Sequence, residues 1–290
     1  MRDESQSRLK IVLVLTFLYM LIDAGAAYYT GSLALLADTF HMASDLGALA
    51  LALVAIWLAK RSPTDGKTYG YYRSEILAGL INGVVLVGLC FYILFEAWRR
   101  LSHPPEVLSG PMLAVALVGL VLNLVSVKLL GGMSGHSVNV KAAYLEVLGD
   151  LLATIGVIIA SVIMITTKWY MADPIISGLI GFLILPRTWI LLSECVNILM
   201  EGTPGYIDIG KLREAMLAVP GVVELHDIHA WTITSGMDAM SCHVTTNKDA
   251  NQDAILAELT DIVQKQFNIN HTTIQVEQIE CKGLGNGTCH

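Results

Sequence analysis

Leu33-Ala-Leu-Leu-Ala-Asp38-Thr-Phe-His41-Met-Ala-Ser-Asp45-Leu-Gly-Ala-Leu-Ala-Leu-Ala-Leu-Val-Ala-Ile-Trp-Leu58 is long and apolar enough to cross a bilayer, yet it carries two carboxylates and an imidazole. A helix needs about 20 residues to span about 30 Å of hydrocarbon. Each ionisable side chain at that depth costs about 2.5 to 3.5 kcal/mol on the insertion scale, so such groups need a function. His41 and Asp45 are four residues apart and so lie one helical turn above each other on one face. A second apolar run, residues 140–166, repeats the arrangement with Glu146-Val-Leu-Gly-Asp150. Two such helices facing each other would gather His41, Asp45, Glu146 and Asp150, four nitrogen and oxygen donors suited to a tetrahedral divalent ion. Ala37, Ala43, Ser44, Gly47, Gly149 and Ala153 are small enough to allow the close approach this needs. The competing explanation is a hydrogen-bonded helix pair without an ion, which four ionisable groups in two spans make hard to justify.

Working outward, four more apolar stretches reach or approach spanning length: residues 9–29, 76–98, 112–130 and 175–199. Composition agrees, with 54% apolar residues, only 15% charged and a mean hydropathy of +0.60, against about 25% charged in soluble domains. Arg2, Arg8 and Lys10 before the first run resemble a signal peptide ending near Ala24-Gly25-Ala26, but Asp23 interrupts that region and an even set of spans needs this helix. Lys and Arg in short connections stay on the cytoplasmic side. With the amino terminus inside, Arg2, Arg8, Lys10, Lys60, Arg61, Lys67, Arg73, Lys128 and Lys141 are inside and only Arg99, Arg100 and Lys168 outside. Both termini of a multi-pass membrane protein are then cytoplasmic.

The net charge of -7 excludes nucleic acid as an electrostatic partner. Most of it falls after Gly202, where residues 203–290 carry 11 acidic and 5 basic side chains. That acidity would attract cations from the cytoplasm, or simply solvate the surface. Five cysteines, Cys90, Cys195, Cys242, Cys281 and Cys289, are an odd, irregularly spaced set unlike a secreted disulfide framework. The pattern of the last segment predicts a helix over residues 207–219, a Pro220-Gly221 break, strands over 222–234 and 237–246, a helix over 251–267 and a strand over 272–279. This αββαβ order implies an α+β, ferredoxin-like or metallochaperone-like domain over residues 203–290, attached to an all-α six-helix membrane domain over residues 1–202. At this size a second copy would add to its stability.

The ordered motifs resemble the cation diffusion facilitators, divalent-metal exporters that run on proton antiport. They are Ser32-Leu-Ala-Leu-Leu-Ala-Asp38-Thr-Phe-His41-Met-Ala-Ser-Asp45, Tyr69-Gly-Tyr-Tyr-Arg73-Ser-Glu75-Ile-Leu-Ala, Asn139-Val-Lys-Ala-Ala-Tyr-Leu-Glu146-Val-Leu-Gly-Asp150, Ala172-Asp-Pro174, Leu199-Met-Glu201-Gly-Thr-Pro204, His226-Asp-Ile-His229-Ala-Trp231 and Thr273-Ile-Gln-Val-Glu277. Pro186-Arg-Thr-Trp-Ile-Leu-Leu192 is similar to the bacterial branch tied to zinc, cobalt and cadmium resistance. The resemblance implies a homodimer joined through the cytoplasmic domain, Zn2+ as transported and regulatory ion, and Co2+ or Cd2+ as further substrates. It also implies a regulatory metal site at His226, His243, His271 and Glu277, and a charge interlock between Arg73 and Glu201. His229 falls on the opposite strand face from His226 by the period-two rule. Cys281, Cys289 and His290 could add soft ligands from the tail or serve no role.

The commonest zinc pattern of the family has His where this chain has Glu146. Three ionised carboxylates and one His leave a loaded site with a charge of about -1, costly at low dielectric. Either Glu146 shares a proton, or the site accepts harder ions more readily than an all-zinc site would. Asp38 would attract the ion at the outer mouth, or cap or hydrogen-bond. Asp23, Asn82, Glu96 and Asn123 read as interhelical hydrogen-bonding groups, and Arg187 as snorkelling toward the cytoplasmic face. Ion binding to deprotonated ligands releases protons, which couples ion to proton movement. No phosphate loop or H-E-x-x-H is present, so ATP hydrolysis and a zincin-type intramembrane enzyme are disfavoured. A metal channel is the other alternative.

Overall fold

The computed structural model describes residues 2–131 and 138–277. Six long helices come first: α1 (Arg2–Thr30), α2 (Leu33–Ala59), α3 (Ser74–Ser102), α4 (Ser109–Gly131), α5 (Val138–Thr167) and α6 (Ala172–Leu199). All six contain a window long and apolar enough to cross a membrane. Helices satisfy their own backbone hydrogen bonds, which hydrocarbon requires. Large apolar side chains such as Phe17, Trp57, Phe91 and Phe182 are exposed, as lipid-facing positions would be. The α1–α2 and α5–α6 connections are short and marked by positive φ angles: Gly31 at φ 73 after α1, and Lys168 at φ 58 after α5.

The chain forms two compact units, residues 1–51 with 81–192, and residues 52–80 with 193–290. In the first, α4 packs against α5 and α1. A Cβ at Gly119 of α4 would run into the Tyr19 ring of α1, so only glycine permits this approach. Leu33, Ala34 and Leu35 of α2, Met112 and Ala116 of α4, and Val157, Ala160 and Met164 of α5 are buried in one core cluster of this unit.

The second unit carries α7 (Ile209–Leu217), β1 (Val222–Thr234), β2 (Met237–Thr246), α8 (Gln252–Phe267) and β3 (His271–Glu277), the αββαβ order expected. Asp208 caps α7 by accepting from the Lys211 amide at 3.1 Å, and Asn251 caps α8 through the Ala254 amide at 3.2 Å. The sheet order is β1-β2-β3, with β1 antiparallel and β3 parallel to β2. Leu212, Met216, Leu259 and Val263 from the two helices are buried with Met240, Cys242 and Val244 of β2, so both helices cover one sheet face. The other face presents the histidines. Residues 278 and 279 of the expected third strand lie outside the described residues.

Candidate metal centre

In the first unit α2 and α5 bring three carboxylates around one imidazole nitrogen. His41 Nε2 lies 3.7 Å from Asp45 Oδ2, 3.6 Å from Glu146 Oε1 and 3.7 Å from Asp150 Oδ1. These separations exceed hydrogen-bond length. They are close to the roughly 3.4 Å between donors that share a tetrahedral ion with bonds near 2.1 Å. Donor atoms of His41, Asp45 and Glu146 all lie within 4.8 Å of one another. Asp150 approaches through His41, and its Oδ1 is buried without a hydrogen-bond partner, as is His41 Nδ1. A cavity of about 510 Å3 opens on the cluster, lined by His41, Asp45, Asn82, Glu146 and Arg187 among others.

The neighbouring polar groups divide. Thr39 Oγ1 donates to Asp23 Oδ2 at 2.7 Å, Ser44 Oγ to Asn82 Oδ1 at 3.3 Å and Asn123 Nδ2 to Thr154 Oγ1 at 3.1 Å, so Asp23, Asn82 and Asn123 bridge helices as expected. Glu96 does not: it accepts from Arg99 and Arg100, both at 2.9 Å and both on its own helix. Asp38 is buried one turn before His41 but stands outside the donor cluster.

In the second unit His226, His243 and Glu277 form another group of mutually close donors. His243 Nδ1 is 2.7 Å from Glu277 Oε1, His226 Nε2 is 3.9 Å from Glu277 Oε2, and the two rings are 5.2 Å apart. His226 Nε2 is buried without a hydrogen-bond partner, an orientation suited to an ion. Within one chain His271 does not join them. It opens β3 opposite Ala239, whereas Glu277 ends the strand opposite Thr245, and its ring instead meets Tyr69 edge-on at 5.6 Å. Burial pushes the Cys242 thiol up to about 11, so it stays protonated and packs as an apolar group. Cys281, Cys289 and His290 lie outside the described residues, as do Arg2, Arg8, Lys10 and Lys141 as side chains.

Residues 9–200 match the family model described as the cation efflux transmembrane domain, and residues 204–279 match the cytoplasmic domain of cation efflux proteins. The chain belongs to the cation efflux family. The metal cation efflux system protein CzcD of Cupriavidus metallidurans is 43% identical over 279 residues, covering 96% of this chain and 88% of the relative. The cadmium, cobalt and zinc/H(+)-K(+) antiporter of Bacillus velezensis is 39% identical over 277 residues, covering 92% and 88%. The zinc transporter ZitB of Escherichia coli is 38% identical over 283 residues, covering 97% and 90%. The chain is thus a multi-pass metal cation efflux transporter of the zinc, cobalt and cadmium branch, and not an enzyme.

Two features of this transporter escape a linear reading. Arg187 does not snorkel away: its Nη2 donates to Glu146 Oε2, pairing a cation with a donor of the cluster. The only prior signal was a basic residue deep in an apolar span. His229 also departs from expectation. His226 pairs with His243 and His229 with Ser241, three residues on β1 against two on β2. The extra residue, Asp227 at φ 51, makes a bulge that returns His229 to the His226 face.

Proposed function

We propose that this transporter is a proton-coupled antiporter that exports divalent transition-metal ions, zinc foremost and cobalt or cadmium as well, from the cytoplasm by alternating access. The observation that carries the reading is the set of three carboxylates placed 3.6 to 3.7 Å around His41 Nε2 on two membrane-spanning helices. His41, Asp45, Glu146 and Asp150 are its transport ligands. The ion takes the deprotonated groups, and protons arriving from the outside promote its release. The helices carrying the site rock between inward-open and outward-open states around it.

Residues 1–202 serve as the membrane part and residues 203–290 as the cytoplasmic part, through which two copies form a homodimer in the inner membrane with both termini in the cytoplasm. His226, His243 and Glu277 serve there as a regulatory metal site, supported by the buried His226 Nε2, which makes no hydrogen bond and faces Glu277 Oε2 at 3.9 Å. Arg73 and Glu201, 2.8 Å apart, serve as a charge interlock.

Metal-dependent proton flux in proteoliposomes tests the reading. The intact protein should move protons against zinc in obligatory exchange. Asp150→Ala should lose nearly all flux, by about a hundredfold or more if the ligand is essential. Full flux in that variant would overturn the ligand assignment, and zinc flux without proton exchange would make the protein a channel.

A further inference from the structure

Glu146 offers its two carboxylate oxygens to two different groups. Oε1 lies 3.6 Å from His41 Nε2, inside the donor cluster, while Oε2 accepts from Arg187 Nη2. Arg187 follows Pro186 in α6 and lines the same cavity as His41, Asp45 and Glu146. We propose that Arg187 is the fixed counter-charge of the transport site: it holds one oxygen of Glu146, leaves the other for the ion and brings the loaded site to zero net charge. This inference rests on the reading of His41, Asp45, Glu146 and Asp150 as ligands of the transported ion.

Charge arithmetic favours the pairing. Three ionised carboxylates and a divalent ion leave one negative charge, which a site of low dielectric tolerates poorly. A guanidinium stays protonated in proteins and supplies the missing positive charge without consuming a proton. Replacing Glu146 by His would leave two carboxylates and a divalent ion, already balanced, and Arg187 would become a surplus cation beside the site. Arg187 and Glu146 therefore form a matched pair. Arg187 is a positioning residue: it acts on the ion through Glu146, whose free oxygen it keeps turned toward His41.

The test is a double-mutant cycle on the full-length protein in proteoliposomes, with zinc as the ion and kcat and KM measured separately. Glu146→His and Arg187→Gln each unbalance the site, and each should lower kcat/KM by about tenfold, a size typical of coupling between contacting residues. The double variant, balanced again, should recover to within about threefold of the parent. Arg187→Lys, which keeps the charge, should retain most activity. A double variant worse than either single, an Arg187→Gln variant equal to the parent, or a Lys variant as poor as the Gln variant would each overturn the inference. Arg187→Met replaces the Gln variant if that protein does not reach the membrane. Asp150→Ala run alongside separates the two readings: full flux there overturns the ligand assignment itself, whereas loss there with multiplicative effects in the cycle overturns only the counter-charge.

Discussion

The Asp173 carboxylate completes a helix that is remote from it in the chain. It accepts from Ser32 Oγ at 2.5 Å and from the Leu33 and Ala34 amides at 2.8 and 3.2 Å, the first free donors of α2. Ser32 Oγ in turn accepts from the Leu35 amide at 3.2 Å. Helix starts leave such donors unpaired, and burying them unpaired is costly. Asp173→Ala should therefore lower stability by about 2 kcal/mol or more, with Asp173→Asn losing less because its amide oxygen still accepts. Thermal unfolding in detergent checks this, and an unchanged midpoint for the Ala variant would refute the capping role. The contact was not legible in advance, because Asp173 and Ser32 are 141 residues apart and only helix packing joins them. The same holds for Arg187 and Glu146, 41 residues apart. His41 with Asp45, and Glu146 with Asp150, were legible because a helix converts a four-residue spacing into a shared face.

Among the elements, apolar length disclosed the six spanning helices, and turn chemistry at Pro220-Gly221 and Ser235-Gly236 delimited the strands. The break in β1 was signalled only by His226-Asp227, two adjacent polar residues that interrupt the alternation of Leu225-His226-Asp227-Ile228-His229-Ala230, and a strict period-two count passes over it. Leu225, Ile228 and Ala230 pack in the helix-covered core, which is consistent only if Asp227 is an inserted residue. Its φ of 51 lies in the left-handed region, which costs ordinary side chains roughly 1 to 2 kcal/mol and Asp or Gly less. Asp227→Gly should thus be neutral or slightly stabilising, and Asp227→Val should cost about 1 to 2 kcal/mol. Chemical or thermal unfolding of the purified protein distinguishes them, and equal stability of the two variants would argue against the bulge. In the Val variant the geometry of His226 and His229 should also be perturbed, and zinc binding at the proposed site of His226, His243 and Glu277 should weaken with it.

On the scale of the whole molecule, the ends of spanning helices belong to the same compact unit as the αββαβ segment. Within that unit Glu75, at the start of α3, accepts from Thr234 Oγ1 at 2.6 Å and Ser235 Oγ at 2.9 Å in the β1–β2 hairpin. Beside it Arg73 Nη2 donates to Glu201 Oε1 at 2.8 Å, just beyond α6. The Arg73 and Glu201 side chains are 37% and 61% exposed, and an exposed pair contributes only about 0 to 1 kcal/mol to stability. A purely stabilising role would therefore leave little to measure. An interlock that holds the ends of α3 and α6 through the transport cycle predicts a different pattern. Arg73→Glu, which sets two like charges against each other, should change the midpoint of unfolding little and yet lower the zinc transport rate several-fold. The reversed pair, Arg73→Glu with Glu201→Arg, should restore the rate, because attraction between the two ends is what the interlock requires. Transport in proteoliposomes measured beside unfolding decides the matter: a slow reversed pair would deny the interlock, and a rate that simply follows stability would reduce the contact to an ordinary surface ion pair.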